Sequence, residues 1–314
     1  MGKIYPTVPN KMETVSALGW KQFPLMGVKM RIGIIGGSGL YKIEGLEKIK
    51  EQEVATPFGK PLDKLILGEL GGKEVVFLPR HGKGHCISPS ELNYRANIFA
   101  MKKLGVAAII SVSACGSLRE DFKPLDFVIP DQFVDRTNQA RKMTFFEKGI
   151  VCHISFSDPV CPHLSQVVYQ AAKDLNLNAH LGGTYLNMEG PAFSTRAESQ
   201  LYRKWGMDII GMTNMAEAKL AREAEICYVS LAAITDYDCW YQSEEAVTVE
   251  MIIQNLLKNV ENSKKIVKKI IKDFPETKQC NCENALASAI ITDRKMIPKK
   301  IKKDLKLIIG KYGI

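Results

Sequence analysis

From residue 31 onward the chain alternates two hydrophobic patterns. Short continuous apolar runs cover 31–35, 74–78, 106–112, 127–130, 208–212 and 226–234, and 183–188 is a further strand candidate. Runs of this length, bounded by Gly, Pro or polar clusters, predict buried β-strands. Between them, 90–104, 167–175 and 217–225 repeat apolar residues at helical spacing. A longer amphipathic stretch, 247–271, places Val249, Ile252, Ile253, Leu256, Leu257, Val260, Val267, Ile270 and Ile271 at the helical period, which is first of all a core face. After Pro275, 285–291 and 300–309 suggest two short helices, whereas 131–162 is irregular. Strands alternating with helices predict an α/β domain with a mixed, largely parallel central sheet flanked by helices. No composition break interrupts 30–274, so one large domain is expected there, preceded by a loose extension, 1–29, and followed by a basic segment, 275–314, that packs on the domain or on a neighbour.

Composition narrows the class. With 46% hydrophobic and 25% charged residues among 314, the chain reads as a soluble globular protein. No apolar run approaches the roughly 20 residues of a membrane helix, and 1–29 lacks the apolar segment of a secretory signal. A cytoplasmic protein with neither a membrane nor a nucleic-acid partner is therefore expected. The net charge of +9 is local: 264–314 holds fourteen Lys and Arg against five Asp and Glu, which leaves the body neutral. A solvated basic helix face explains this better than a nucleic-acid arm. Six of the eight cysteines (Cys86, Cys115, Cys152, Cys161, Cys227 and Cys239) are dispersed, without metal-ligand spacing. Cys280-Asn281-Cys282 is half of a metal-type spacing with no second pair after it. No metal is expected from spacing alone.

Candidate chemistry gathers at the ends of the predicted strands. The first runs into Gly36-Gly37-Ser38-Gly39-Leu40, a turn that fits a backbone cradle for phosphate and equally an ordinary tight turn. Lys42 stands where a dinucleotide fingerprint needs its third glycine. Pro79-Arg80-His81-Gly82-Lys83-Gly84-His85 offers a guanidinium fork and imidazoles beside glycines that let a ligand approach. Ser113-Ala114-Cys115-Gly116-Ser117 and Gly211-Met212-Thr213-Asn214 place small and hydroxyl residues at two further strand ends, where α/β proteins bind ligands. In Glu189-Gly190-Pro191-Ala192-Phe193-Ser194-Thr195-Arg196, Phe193 is either a face for a flat base or core, and Ser194 offers a hydrogen bond. His153, alone in an irregular stretch, reads as structural. Thr235-Asp236-Tyr237-Asp238-Cys239-Trp240 follows the most apolar run and carries two carboxylates two residues apart. Burial and mutual repulsion disfavour ionising both, so Asp236 is a candidate general acid, coupled to Asp238.

Together these segments resemble the trimeric purine nucleoside phosphorylases, most closely the branch that acts on 5′-methylthioadenosine. The matching stretches are 33–40, Thr56-Pro57-Phe58-Gly59, 79–85, 114–119, 131–135, 189–199, 211–213 and 235–240, in the family's order, spanning about 31–271. The resemblance implies a single-domain nucleoside phosphorylase-like fold and phosphorolysis, with inorganic phosphate as co-substrate and no other cofactor. It assigns phosphate to Ser38, Arg80, His81, Ser113, Ala114 and Thr213, ribose to Met212, and the base to Phe193, Ser194 and Asp236 with Cys115 and Asp238 nearby. It further implies that Val249, Ile252 and Ile253 line a methylthio pocket and that His153 reaches a neighbour's site in a homotrimer, or in a hexamer built as a dimer of trimers. Asp236 accepts from a 6-amino group where an Asn would suit a 6-oxo purine. This favours adenine over hypoxanthine or guanine.

Three departures from the family pattern stand out. Ala192 precedes the Phe-Ser pair where several relatives carry a polar or charged side chain. Asn214-Met215-Ala216 replaces an apolar-and-proline sequence before Glu217, and the C-terminal pocket-closing helix does not align clearly. The first two are expected near sugar and base, where they would broaden use toward adenosine. The Cys280 and Cys282 pair resembles one that forms a disulfide in some thermophile relatives. Competing readings are phosphorolysis of 6-oxopurine nucleosides such as inosine or methylthioinosine, which Asp236 opposes, and a nucleotide-binding oxidoreductase or nucleic-acid binder, which the missing third glycine and neutral body oppose.

Overall fold

The carboxyl ends of the longest buried strands meet in one place, and the sheet order explains why. A computed structural model describes residues 30–314 apart from Ser38, Tyr41, Gln139, Ala140, 242–248 and Lys278. The expected extension, 1–29, and the expected phosphate residue Ser38 lie outside the described residues, as do the side chains of Val249 and Ile252. The strands are β1 (Arg31–Gly36), β2 (Leu46–Gln52), β3 (Leu65–Leu70), β4 (Lys73–Pro79), β5 (Val106–Ser117), β6 (Phe127–Ile129), β7 (Gln132–Arg136), β8 (Ala179–Leu181), β9 (Thr184–Met188), β10 (Ile209–Gly211) and β11 (Cys227–Tyr237). The helices are α1 (Tyr94–Lys103), α2 (Pro162–Asp174), α3 (Arg196–Lys204), α4 (Asn214–Glu223), α5 (Val249–Lys272), α6 (Lys299–Asp304) and α7 (Lys306–Ile309).

Among the described residues these strands form one sheet in the order β2-β3-β4-β1-β5-β10-β9-β7, with β11 on β5 and β6, and β8 on β6. The β1–β4, β1–β5, β5–β11, β6–β8, β7–β9 and β9–β10 pairings are parallel. The mixed, largely parallel sheet flanked by helices is the expected architecture. β5 is its pivot. Its first half runs between β1 and β11, while Gly116 and Ser117 pair antiparallel with β10.

Both β5 and β11 outrun their apolar signals. Residues 113–117 and 235–237 remain in the ladder instead of turning away, because each strand supplies the other's partners: Ser113 pairs with Ala232, Cys115 with Ile234 and Gly116 with Asp236. A bulge between Ile234 and Asp236 shifts the register there, which re-aims the side chain that follows. The core lies on both faces. Ile98, Met101, Ile109 and Tyr228 anchor one side, and Ile34, Ile110, Val229 and Ile266 the other, all at most 2% exposed. Each such side chain contributes about 1.5–3 kcal/mol on burial.

Several local readings differ from the periodicity: β2 and β3 lie outside the apolar runs read as strands, and Gln132–Arg136 is strand β7 inside the stretch expected to be irregular. The segment 285–291 is turn rather than helix, preceded by a 3-10 turn at Cys282–Asn284, although Leu286 is still buried in the core. α3 is an element the apolar pattern does not show, since its helical signal is the Thr195–Glu198 capping box rather than a stripe. The core face of α5 is confined to its second half: Ile266, Val267, Ile270 and Ile271 are buried, whereas Ile253, Leu256 and Leu257 are exposed. None of the described helices is long and apolar enough to cross a membrane.

Candidate active site

Arg80 follows β4 directly, and its N–H bonds the Gly36 carbonyl at the end of β1 (2.9 Å), which joins the two strand ends. Its guanidinium is buried and almost fully engaged. Nε donates to Glu217 Oε1 (2.5 Å), Nη2 to Glu217 Oε2 (3.3 Å) and Ser111 Oγ (2.6 Å), and Nη1 to the Val112 carbonyl (3.0 Å). Burial opposes the charge, but the Glu217 carboxylate outweighs it and holds Arg80 protonated. Glu217 also accepts from Ser111 Oγ (2.6 Å) and the Tyr228 hydroxyl (3.0 Å), so Arg80 is aimed by a network under the strand ends. Of the five guanidinium hydrogens, one on Nη1 has no partner among the described residues.

His81 bonds the Ile87 carbonyl through Nδ1 (2.8 Å). A carbonyl only accepts, so Nδ1 carries the proton. Burial and the neighbouring Arg80 charge push the imidazole down to about 4, so near neutrality Nε2 is a bare acceptor rather than a cation. His85 stacks on it with ring centroids 4.3 Å apart.

β10 runs antiparallel to the end of β5, so residues 212–213 travel back toward 113–115. Gly211 is required at this crossing, because a Cβ would fall on the Tyr185 hydroxyl and 3.2 Å from Cys115 Sγ. Thr213 is buried at the N-cap position of α4, and its side chain does not cap the helix. The hydroxyl makes one long bond, donating to Asn214 Oδ1 (3.3 Å), and lies beside buried Ser113 at the positive end of α4, where the Met215 N–H is held by Asn187 Oδ1 (3.0 Å). Ser113 Oγ lies 3.5 Å from Cys115 Sγ, and Ala114 between them is exposed. Burial pushes the Cys115 thiol up to about 11, so it stays protonated and acts as a wall.

Asn214 corrects an expectation. Rather than facing sugar or base, its fully buried Nδ2 shares its two hydrogens among Ser230 Oγ (2.8 Å), the Tyr228 hydroxyl (3.0 Å) and Ser111 Oγ (3.2 Å), and its Oδ1 accepts from the Tyr185 and Thr213 hydroxyls. It is the hub of the polar floor beneath the site. Ala192, by contrast, is exposed on the loop before Phe193.

Asp236 lies inside β11, just past the bulge. The Thr235 hydroxyl donates to its Oδ1, which leaves Oδ2 for a ligand. Burial raises the carboxyl's pKa, the Thr235 bond opposes the shift, and the Asp238 charge adds to it. Asp238 is buried, and its Oδ2 has no hydrogen-bond partner among the described residues. Asn255 and Asn259 of α5 donate to the Thr235 and Ile234 carbonyls (3.0 and 2.8 Å), so α5 crosses directly over this strand end. Its exposed Ile253 belongs to the same helix end.

The base loop reaches the same place from the other side. The Cys239 thiol donates to the Ser194 carbonyl (3.3 Å), which ties 189–195 to 235–240. Phe193 is 84% exposed, so it is not core and its ring face is free to stack in the described chain. Half-buried Met212 lies beneath the loop, where a Cβ on Gly190 (φ +69°) would strike its sulfur. Arg141, which sequence reasoning missed, holds the assembly: its guanidinium donates to Glu189 Oε1 (3.1 Å), to the Glu189 carbonyl and to the Met212 carbonyl. Glu217, Asn187 and Tyr185 were missed likewise; Asn187 Nδ2 bonds the Met212 carbonyl (3.2 Å). His153 stands elsewhere, exposed on the segment that bridges to Ile290 through Cys152.

The site therefore has a cationic and hydroxylated end (Arg80, His81, Ser113, Thr213) and an acidic end (Asp236, Asp238), with Met212 and Phe193 between. Truncating Phe193 to Ala is expected to raise the KM for a purine nucleoside about 10- to 100-fold, since a base–aromatic stack is worth ~1–3 kcal/mol. Thermal stability should stay unchanged because the ring is exposed. Steady-state kinetics beside a melting curve would check both halves.

Comparison with known proteins places the chain in a family. A sequence model described as "Phosphorylase superfamily" matches residues 31–272. The chain is 56% identical over 285 residues to an S-methyl-5′-thioadenosine phosphorylase of Koribacter versatilis, covering 91% of this chain and 97% of that one. It is also 56% identical over 281 residues to the protein of that name from Geobacter sulfurreducens, covering 90% and 98%. Among solved structures, a methylthioadenosine phosphorylase from an antarctic soil metagenomic library superposes with a TM-score of 0.84 at 46% identity, covering 90% of this chain and 99% of that one. An adenosine/methylthioadenosine phosphorylase from Schistosoma mansoni, solved as a mutant with adenine, gives 0.72 at 37% identity, covering 90% and 98%. The chain belongs to the phosphorylase superfamily, alongside relatives named S-methyl-5′-thioadenosine phosphorylase.

Proposed function

We propose that the protein catalyses phosphorolysis of 5′-methylthioadenosine to adenine and 5-methylthioribose 1-phosphate, a step of purine and methionine salvage. The observation that carries this reading is the gathering of strand ends: β11 pairs Asp236 with Gly116 of β5, β5 carries Ser113 three residues earlier, β10 returns Thr213 along the same strand end, and Arg80 bonds Ser111 and Val112 of β5. The glycosidic bond breaks with positive charge developing on the sugar. Phosphate held by the Arg80 guanidinium, the Ser113 and Thr213 hydroxyls and the N-terminus of α4 stabilises that charge and is positioned to attack the anomeric carbon. Neutral His81 accepts a hydrogen bond from a phosphate O–H at Nε2, which orients the nucleophile without removing its proton. The electrons of the broken C–N bond go to the purine, and protonated Asp236 delivers its proton at N7 as they arrive. Asp238 disfavours ionisation of its neighbour before that moment and accepts from the base edge. Phe193 and Ser194 hold the base, with Cys115 as a wall, and Met212 lies under the ribose.

Exposed Ile253 on α5 supplies an apolar surface suited to a thioether at the 5′ position. Rejection of a hydroxyl by such a surface is modest. Adenosine is therefore a second substrate, and the Schistosoma relative named for both nucleosides favours the same breadth. His153 and the exposed apolar residues of α5 meet a neighbouring subunit in a homotrimer of cytoplasmic enzyme. A competition assay tests the substrate order: with saturating phosphate, base release should run methylthioadenosine first, adenosine second and inosine last. Faster release from inosine would refute the adenine assignment.

A further inference from the structure

Two of the dispersed cysteines and the Cys280–Cys282 pair come together at the opposite end of β11 from Asp236. The sulfurs of Cys161, Cys227, Cys280 and Cys282 all lie within 4.8 Å of one another. Cys227 Sγ and Cys280 Sγ are 3.4 Å apart, and all four thiols are free. Three separate segments supply them: Cys161 is the N-cap residue of α2, Cys227 opens β11, and Cys280 and Cys282 come from the link after Phe274. Cys161, Cys227 and Cys282 are buried, and Cys280 is half-buried. The sequence spacing hides the set because half of it lies 53 or more residues upstream of Cys280.

The geometry points to a structural tetrahedral metal site in which these four thiolates hold one zinc ion. Zinc–sulfur bonds of about 2.3 Å put ligand sulfurs roughly 3.8 Å apart in a tetrahedron, and the observed separations bracket that spacing. A closed set of four protein sulfurs, with no position left for water, is the structural rather than the catalytic pattern. Two further features suit a cluster of thiolates. Cys161 sits on the positive end of α2 with no side-chain capping bond, where a helix N-terminus favours the thiolate. His163 Nε2 is buried with no hydrogen-bond partner among the described residues, and His163 lines a cavity of about 20 Å³ together with Cys161, Cys227 and Cys280. Binding replaces thiol protons by the metal, so uptake releases protons and weakens as pH falls.

The position says what the metal does. Cys227 and Asp236 are nine residues apart on one strand, about 30 Å at the rise of an extended chain. The ion is therefore outside the reaction. It clips the start of β11 and of α2 to the C-terminal segment, whose Leu286, Ile297, Leu305 and Ile309 complete the core.

The test is zinc content of the full-length protein, prepared under a thiol reductant and freed of loose metal. About one zinc per chain is expected, lost in the Cys280→Ser, Cys282→Ser double variant, which keeps its rate of adenine release at moderate temperature but melts lower. Cobalt added to the metal-free wild type should give the thiolate charge-transfer and tetrahedral ligand-field absorption of a four-sulfur site, a readout that does not depend on any variant folding. Failure to retain zinc or to develop the cobalt spectrum with all thiols reduced would overturn the proposal. So would unchanged zinc in the double variant, or an intact mass four hydrogens below the reduced value in freshly isolated protein, which would mean two disulfides instead.

Discussion

Replacing Asp236 by Ala is expected to lower the rate of adenine release about 10²- to 10⁴-fold, the usual worth of a positioned general acid. The residue touches little besides Thr235 in the described chain, so stability should change far less than turnover. The sign of the pH dependence follows from the environment. Burial, with Asp238 adding to it, raises the pKa of the carboxyl and keeps the proton-donating form populated to higher pH. Activity should therefore fall as pH rises through that raised value, and this falling limb should vanish in Asp236→Asn. An Asn also donates where the acid accepts, so the Asn variant should shift preference from adenosine toward inosine by about 10- to 100-fold, the cost of ~1–3 kcal/mol for a buried mispaired group. A wild-type pH profile and base preference in that variant would show that another group protonates the base.

The second large effect is expected at Glu217, which touches no ligand. Its carboxylate accepts from Arg80 twice, from Ser111 and from Tyr228, all of them buried. Glu217→Gln leaves the Arg80 charge uncompensated, and breaking a buried pair in this way costs about 3–5 kcal/mol. That corresponds to a melting point lower by roughly 6–20 °C. Phosphate now neutralises Arg80 in place of Glu217, so saturating phosphate should restore more of the melting point in the variant than it adds in the wild type. The KM for phosphate should change together with stability. Differential scanning fluorimetry with and without phosphate separates the two contributions, and equal shifts by phosphate in both proteins would contradict this role for Glu217.

Much of this site was legible because it is built from strand ends. Arg80, Ser113, Thr213 and Asp236 each follow or end an apolar run; the parallel strands β4, β1, β5 and β11 bring Arg80, Ser113 and Asp236 together, and antiparallel β10 returns Thr213 to them. What the pattern does not carry is the layer below. Asn214 and Glu217 look like an ordinary first helical turn. Their role appears only when α4 packs over β5 and both side chains reach Ser111. Arg141 sits in an irregular stretch with no periodicity to mark it, and its partners, the Met212 carbonyl and Glu189, lie 71 and 48 residues away. The first half of α5 misleads in the opposite way. Its apolar period predicts burial, but that face extends past the sheet, so Ile253, Leu256 and Leu257 remain exposed in the chain. Spacing rules for cysteines fail for a similar reason, since β11 and α2 bring Cys227 and Cys161 to the C-terminal pair through the fold rather than along the sequence.

Everything proposed for the Arg80 end of the cleft requires phosphate to be the nucleophile. The direct measurement is product analysis after incubation of the enzyme with methylthioadenosine, with and without inorganic phosphate, by phosphorus NMR for the sugar 1-phosphate and by chromatography for the base and free sugar. The account predicts adenine and a sugar 1-phosphate in equal amounts when phosphate is present, and no base release when it is omitted. Adenine formed at the same rate without phosphate, together with free methylthioribose, would contradict it and make the protein a hydrolase.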